Sequence, residues 1–399
     1  MDTLALRARR SPAGTRASAA IVVHRRSARR AAVLAGLTAA LFGVRCDRSL
    51  TPPRIVYPSP WLKPALGQVA QQAIDAWGRP VVAELPESLM RRVKPAPGYE
   101  GDIDYAEAMI VVPGLAAAVG PQSSRATLLV GPIYAERGIP LIVATATSDR
   151  IRALGPWVFQ LAPDNAAEGA FIARFVLDRL AARRVTVFYL DADEYGLGLR
   201  DGVVEALRAS GTAPVDQVAF IESADLPRRV AESLRRAAPD VVVVAARAPE
   251  ALVIARAVHE RLPRVAVVAG DGVPLNADFI RAAGTAASSV YAVAWWSADS
   301  ADPQAREFAS RFAQKSGAPP SPAETMYYDA IMVAAQAIRT VGPRPAAVRR
   351  YLSELGTARA PYHGVTGPIS FAPTRPVNLL MTRVVDGAAV PVNGVEATR

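Results

Sequence analysis

Beyond residue 115 the chain alternates two hydrophobic patterns. Short continuous apolar runs occupy 115–120, 139–143, 185–190, 215–221, 240–245, 265–269 and 289–294. Between them lie longer segments at 124–137, 165–182, 196–210, 226–238, 249–262 and 275–283, in which apolar residues return every three or four positions. The first pattern predicts strands and the second predicts helices. A strand with one wet face alternates apolar and polar residues. These runs do not, which predicts parallel sheets covered by helices on both faces. The chain therefore reads as an α/β protein built on doubly wound parallel sheets. Three more helices are expected over 303–316, 322–340 and 344–355, followed by strand-like runs at 367–371 and 379–385. The front is less regular. Residues 51–64 are Pro-rich, with Tyr57 and Trp61 in irregular surroundings; 66–77 has helical spacing, 80–85 suits a short strand, and 91–101 suits a loop. Pro132 inside the 124–137 segment either kinks that helix or marks its first turn, since proline lacks the amide donor.

Composition narrows the function classes. The chain has 399 residues, 51% of them hydrophobic, enough for one large or two medium cores. Its net charge of +10 is concentrated at the front, where residues 1–50 hold ten arginines against Asp2 and Asp47. The rest of the chain is nearly balanced, with 36 basic and 34 acidic groups, and offers no basic footprint for nucleic acid. Arg25, Arg26, Arg29 and Arg30 precede a 14-residue apolar run from 31 to 44, then Cys46. A positive flank before a short apolar run is the pattern of a signal peptide, and the run is too short to span a bilayer comfortably. Residues 1–50 are thus expected to be a leader that directs the protein to the periplasm or another extracytoplasmic space. Cys46 is a candidate for lipidation and membrane anchoring, although Gly43, Val44 and Arg45 make a poor lipid-attachment motif. As the sole cysteine it excludes an internal disulfide.

Doubly wound sheets bind ligands outside the carboxyl ends of their strands, so the loops there are searched first. Ser123 and Ser124 stand at one predicted helix start, and Thr145, Thr147 and Ser148 end the next strand. Hydroxyls and free amide groups at helix N-termini suit a small anion such as a carboxylate. The plainer alternative is helix capping. Asp271, between two glycines after the 265–269 strand, offers a carboxylate for a ligand ammonium or else an Asx turn. Tyr195 supplies a phenol near another strand end, or is a surface loop residue. Arg247 follows the 240–245 strand and is either a ligand contact or a solvated cation beside a helix. Enzyme signatures are missing. Gly196, Gly198 and Gly202 space their last glycine one residue too far for a dinucleotide fingerprint, and neither a phosphate-binding GxxxxGK[ST] loop nor a GxSxG elbow occurs. His24, His259 and His363 are scattered, leaving little material for a metal site or a His-based triad. No cofactor, no metal and no catalytic residue are expected.

Several segments, taken in order, carry a resemblance. VGPQSSRATLLVGPIYAERGIPLIVATATS, GPWVFQLAPDNAAEGAFIARFV, VTVFYLDADEYGLGLRDGVVEALRASG, AETMYYDAIMVAAQAI and GVTGPISFAP together resemble the periplasmic binding proteins of the leucine/isoleucine/valine type, over roughly residues 110 to 385. The resemblance implies a type I periplasmic binding protein fold, with two lobes joined by three crossings. Lobe 1 would comprise 51–163 with about 295–374, and lobe 2 would comprise 164–294 with about 375–399. It also implies a non-enzymatic, monomeric protein that captures an amino acid or related small carboxylate and delivers it to a membrane ABC permease. A ligand-sensing receptor of the same fold is the alternative. By the same resemblance Ser124, Thr145 and Thr147 hold the ligand carboxylate in lobe 1, Thr145 mainly through its backbone. Tyr195 and Asp271 meet the ammonium in lobe 2. Arg247 stands where relatives that bind aliphatic amino acids carry an aromatic residue, which opens a place for an extra ligand carboxylate. Residues 51–110 depart most from the family, with the first strand, loop and helix shortened or altered and Tyr57 or Trp61 as substitutes for the missing contacts.

Overall fold

The computed structural model describes residues 52–57, 62–78, 82–83, 99–221, 224–375 and 378–396, all within one unit spanning Thr51–Arg399. The arginine-rich leader, Cys46 and Trp61 lie outside the described residues. The front of the chain gives β1 (Arg54–Val56), α1 (Ala65–Asp75), β2 (Val82–Ala83), α2 (Tyr99–Met109), β3 (Leu115–Val119), α3 (Ser124–Glu136), β4 (Leu141–Val143) and β5 (Val158–Gln160). Its middle gives α4 (Asn165–Arg174), β6 (Val185–Leu190), α5 (Glu194–Ala209), β7 (Asp216–Phe220), α6 (Leu226–Ala237), β8 (Val241–Ala245), α7 (Ala248–Arg261), β9 (Ala266–Ala269), α8 (Ala277–Ala283) and β10 (Val290–Ala294). The end comprises α9 (Pro303–Ser316), α10 (Pro322–Val341), α11 (Pro345–Glu354), a hairpin of β11 (Tyr362–Gly364) and β12 (Gly367–Ile369), then β13 (Leu380–Val385) and β14 (Ala388–Glu396).

Two sheets organise these elements. The first is wholly parallel in the order β2-β1-β3-β4-β5. The second is parallel in the order β7-β6-β8-β9-β10, with β13 and β14 added antiparallel at the β10 edge. Each parallel set thus follows the same winding, 2-1-3-4-5 in its own numbering. That winding creates a crevice where the strand order reverses, between β1 and β3 in one sheet and between β6 and β8 in the other. The apolar runs become central strands because both faces are covered: every residue of β3 and β8 is buried. The chain passes from the first sheet to the second after Gln160, back after Ala294, and across again between β12 and β13. On its return, α9 and α10 pack on α1 while α10 and α11 pack on β3, so the late helices complete the first lobe. This is the type I periplasmic binding protein fold, two doubly wound lobes joined by three crossings.

The differences from the expected elements fall mainly in 51–110. The Pro-rich opening contains β1, a three-residue strand whose Ile55 and Val56 are fully buried, and it occupies an interior position in the first sheet. The opening of the chain thus holds a very short strand and a following helix. Helix α2 begins inside the segment expected to be a loop, with Ala106 and Met109 buried and Ile103 packed on the same core. Its acid-rich, weakly amphipathic sequence hides that apolar stripe. Pro132 lies inside α3, not at its first turn. The helix expected over 165–182 is α-helical only to Arg174 and then widens to a π-helical turn over Phe175–Arg179.

Candidate functional site

The lobe 1 half of the site forms where β3 and β4 end. Ser123 caps α3, its hydroxyl accepting from the Ala126 amide at 3.2 Å. Ser124, buried beside it, accepts from the amides of Thr147 and Ser148 at 3.2 and 3.1 Å. Thr145 donates its hydroxyl to the Gln122 carbonyl at 3.1 Å. The structure thus brings Ser124, Thr145 and Thr147 together as expected, and it assigns two of the hydroxyls to fastening one loop to the other. A serine accepting two amide protons keeps its own O–H to donate. Gln160, which pattern reading passes over as the last residue of an apolar strand, supports the same loop. Its buried amide donates to the carbonyls of Ala146 and Ser148 at 2.9 and 3.2 Å.

The lobe 2 half forms around the ends of β6, β8 and β9. Tyr195 sits in the first turn of α5, buried, and its phenol oxygen accepts from the Gly272 amide at 2.9 Å. Asp271 donates its own amide to Glu168 Oε1 at 2.7 Å. Arg247, just ahead of α7, is half-exposed and donates through Nε and Nη2 to Asp193 Oδ2 at 3.1 and 2.7 Å. Its guanidinium also lies 5.7 Å from the Tyr195 ring centre. The structure therefore groups Tyr195, Asp271 and Arg247 as expected, but Arg247 is ion-paired within its own lobe instead of standing as a solvated or unengaged cation.

Glu168 is the residue that sequence reading missed. An acid in the first turn of a helix is ordinarily explained by the helix dipole, so nothing in DNAAEGA sets it apart. In the fold it is 0% exposed, held there because α4 and α5 meet at glycines. A Cβ on Gly169 would fall 2.3 Å from the carbonyl carbon of Gly202, and one on Gly202 would fall 2.4 Å from the Asn165 carbonyl oxygen. Burial, and then the neighbouring Asp271 carboxylate, hold Glu168 well above the ordinary carboxylate range. Burial also raises Asp271, an effect opposed by Glu168, Tyr195 and Arg247. Burial raises the Tyr195 phenol too, reinforced by the charges of Asp271 and Glu168.

The halves touch. Ser148 Oγ donates to Glu194 Oε1 at 3.0 Å, and Arg150 Nη1 reaches both Glu194 oxygens at 3.3 and 3.2 Å. These bonds join the loop after β4 to the first residue of α5. At the crossings Arg375 donates to the carbonyls of Gln160 and Ala162, and Arg152 pairs with Asp164 at 2.5 Å. Burial and the charge of Arg152 push Arg375 down to about 10. Chemically, the arrangement can present hydroxyls and a helix N-terminus from one side and a carboxylate and phenol from the other. Among the described residues no group of three or more His, Cys, Asp or Glu is placed to hold a metal ion. His363 instead meets Asp302 at 2.7 Å, far from the cleft in sequence and on an exposed surface.

Comparisons place this geometry among known proteins. The Leu/Ile/Val-binding protein BraC3 of Rhizobium johnstonii is 26% identical over 171 residues, which are 43% of this chain and 46% of that protein. The aligned stretch thus spans about half the length of that curated relative. The branched-chain amino acid transporter substrate-binding protein LivJ of Streptococcus pneumoniae, solved with isoleucine, superposes with a TM-score of 0.72 at 21% identity, covering 86% of this chain and 99% of that one. A solute-binding protein of an ABC transporter from Rhodopseudomonas palustris, solved with 3,4-dihydroxybenzoic acid, gives 0.68 at 18% identity, over 85% and 95%. No described helix is long and apolar enough to cross a membrane. The family model for periplasmic binding proteins matches residues 100–383, a span that takes in both halves of the cleft and all three crossings, and the chain belongs to that family.

Proposed function

We propose that the protein is the ligand-binding component of an ABC importer, closing its two lobes on an amino acid or a related small carboxylate and passing it unchanged to a membrane permease. The observation that carries this reading is the pairing of two unlike polar half-sites at the strand-order reversals of two facing sheets. The N-terminus of α3, with Ser124 and the Thr145–Thr147 loop, suits a carboxylate through its amide groups and hydroxyls. Thr145 contributes chiefly backbone groups, because its hydroxyl already serves Gln122. Asp271 and Tyr195 suit an ammonium. A zwitterion then spans the cleft with one charge in each lobe, and it favours the closed form by whatever it binds better there. Closure removes water, which strengthens both contacts.

Arg247 is satisfied by Asp193, so in this reading it keeps Asp271 ionised and lines the ring of Tyr195; a dicarboxylate would have to draw it away from Asp193. We place the lobe boundaries near 163, 295 and 375 and take the protein to be an exported monomer.

The test is calorimetry and thermal shift of the full chain with leucine, isoleucine, 3,4-dihydroxybenzoic acid and 4-hydroxybenzoate. A ligand of the folded state raises the melting temperature by mass action. Leucine or isoleucine is expected to do so, and Asp271→Asn is expected to weaken that binding by about 30-fold or more, as when one partner of a buried charge pair is removed. Binding of the benzoates alone would replace the amino-acid reading; an unaltered amino-acid affinity in Asp271→Asn would remove Asp271 from the site.

A further inference from the structure

Behind Asp271 the structure places a second acid that no ligand reaches directly. Glu168 is wholly buried, and one of its oxygens accepts the Asp271 amide at 2.7 Å. Its other oxygen has no hydrogen-bond partner, and neither has Asp271 Oδ1 or either amide atom of Asn165, all of them buried in the same part of lobe 2. The packing around them is tight. A Cβ at Gly270 would lie 2.6 Å from the Tyr195 phenol oxygen and 2.8 Å from Glu168 Oε1. Two carboxylates confined in this way cannot both ionise at low cost, because each charge loses water and faces a like charge. The titratable and charged groups around the pair are Tyr195 on α5 and Arg247 ahead of α7. Arg247 is bonded to Asp193 and half-exposed, so it offsets the pair only in part.

We propose that Glu168 is a positioning residue for the cationic end of the ligand: it holds the Asp271–Gly272 turn as a neutral acid while the cleft is unliganded, and releases its proton to solvent when an ammonium group settles against Asp271. The inference rests on the reading of lobe 2 as the ammonium-binding half. In the open cleft the pair carries a single negative charge, located on Asp271, where the ligand needs it. The incoming cation then compensates a second negative charge, so the carboxyl O–H of Glu168 ionises and the proton passes to the buffer. Binding and proton loss are linked, and affinity for an ammonium ligand rises with pH until Glu168 is already ionised without ligand.

Two measurements on the full chain decide it. The first needs no ligand: carboxyl 13C resonances of glutamate-labelled protein are followed against pH, the Glu168 signal being the one lost in Glu168→Gln. That signal is expected to titrate at higher pH than those of the ordinary glutamates. The second is calorimetry with L-leucine from about pH 5.5 to about pH 8.5, in two buffers of unequal ionisation enthalpy, so that released protons are counted without any variant. Wild type is expected to gain about tenfold in affinity for each unit by which the ligand lowers the Glu168 pKa, with protons released. Glu168→Gln, which mimics the neutral acid and still accepts the Asp271 amide, is expected to match wild type at the low-pH end of this range, to lose the slope, and so to fall behind wild type as pH rises. An ordinary glutamate titration, no proton release, or a large loss of affinity in Glu168→Gln at the low-pH end would each overturn the proposal while leaving the amino-acid reading intact. Benzoate binding without leucine binding would instead overturn that reading, and the proton release with it.

Discussion

The same burial that singles out Glu168 acts on a second acid outside lobe 2. Asp329, on α10, is fully buried and accepts from the Val365 and Thr366 amides at 2.8 Å each and from the Thr366 hydroxyl at 2.5 Å. Desolvation outweighs those bonds and raises it to about 6. Its folded pKa lies above its unfolded one, so the folded state holds this proton more tightly. The stability linked to Asp329 is therefore full below about pH 4, declines as pH rises through about 6, and stays low above. The decline is on the order of 2–3 kcal/mol. Denaturant unfolding at pH 4, 5 and 7 should show wild type losing about that much relative to Asp329→Asn, and parallel curves would refute the assignment. Neither Glu168 nor Asp329 is legible as special in the sequence. The positions of Ser124, Thr145, Thr147, Tyr195 and Asp271 just beyond strand ends were legible, because strand ends follow from periodicity. A buried acid on a helix has no such marker; its meaning comes from what packs over it.

At the scale of elements, legibility followed the strength of the periodic signal. The helices and strands expected from 115 onward appear mostly within a few residues of their bounds, because continuous apolar runs and helical spacing repeat there, whereas the short β5 and the hairpin strands β11 and β14 were not expected. Strand β1 was not legible, since three residues between prolines carry no period, and its place in the sheet is set by pairing to β2 and β3. The junction of α4 and α5 was not legible from the sequence. Gly196, Gly198 and Gly202 fail a nucleotide fingerprint; in the fold Gly198 and Gly202 serve the contact with α4, while Gly196 faces the Leu190 and Ala245 carbonyls. Gly198 would place a Cβ 2.2 Å from the Asn165 side-chain amide nitrogen. Gly202 faces the Asn165 backbone, which cannot give way as a side chain could. Gly202→Ala is expected to lose about 1–3 kcal/mol by overpacking, despite alanine's better helix propensity. Since α4 carries Glu168 and α5 carries Tyr195, ligand affinity should fall with it. Gly211→Ala, with open space around its Cβ but a φ of +78°, is the useful contrast: its loss should be of backbone origin and leave affinity unchanged. Equal stability of Gly202→Ala and wild type in denaturant would refute the close-packing account.

For the whole molecule, the proposed capture turns on the balance between open and closed lobes, and the Glu194 side chain bonds across them. Glu194 opens α5 in lobe 2 and accepts from Ser148 and Arg150 in lobe 1. Ser148 is also one of the two residues whose amides bind Ser124, so closure and the shape of the loop proposed to bind the carboxylate share a residue. The Arg150 arm is weak, because the arginine side chain is 71% exposed and water screens the pair. The Ser148 arm is buried on the serine side and should matter more. Removing Glu194 costs the closed form these bonds and leaves the open form untouched, so the ligand must supply more of the closing free energy. Glu194→Ala is expected to weaken binding by about threefold to tenfold and to raise the ligand-free radius of gyration in solution scattering. Glu194→Gln keeps an acceptor for Ser148 while losing the ion pair, and should fall between wild type and alanine. Added salt should shrink the gap between Gln and wild type but not that between Ala and Gln, because screening acts on the charge pair alone. If all three proteins bound equally and scattered alike, the Glu194 contacts would be bystanders of closure, and the balance would rest on the ligand and the Arg375 clamp at the crossings.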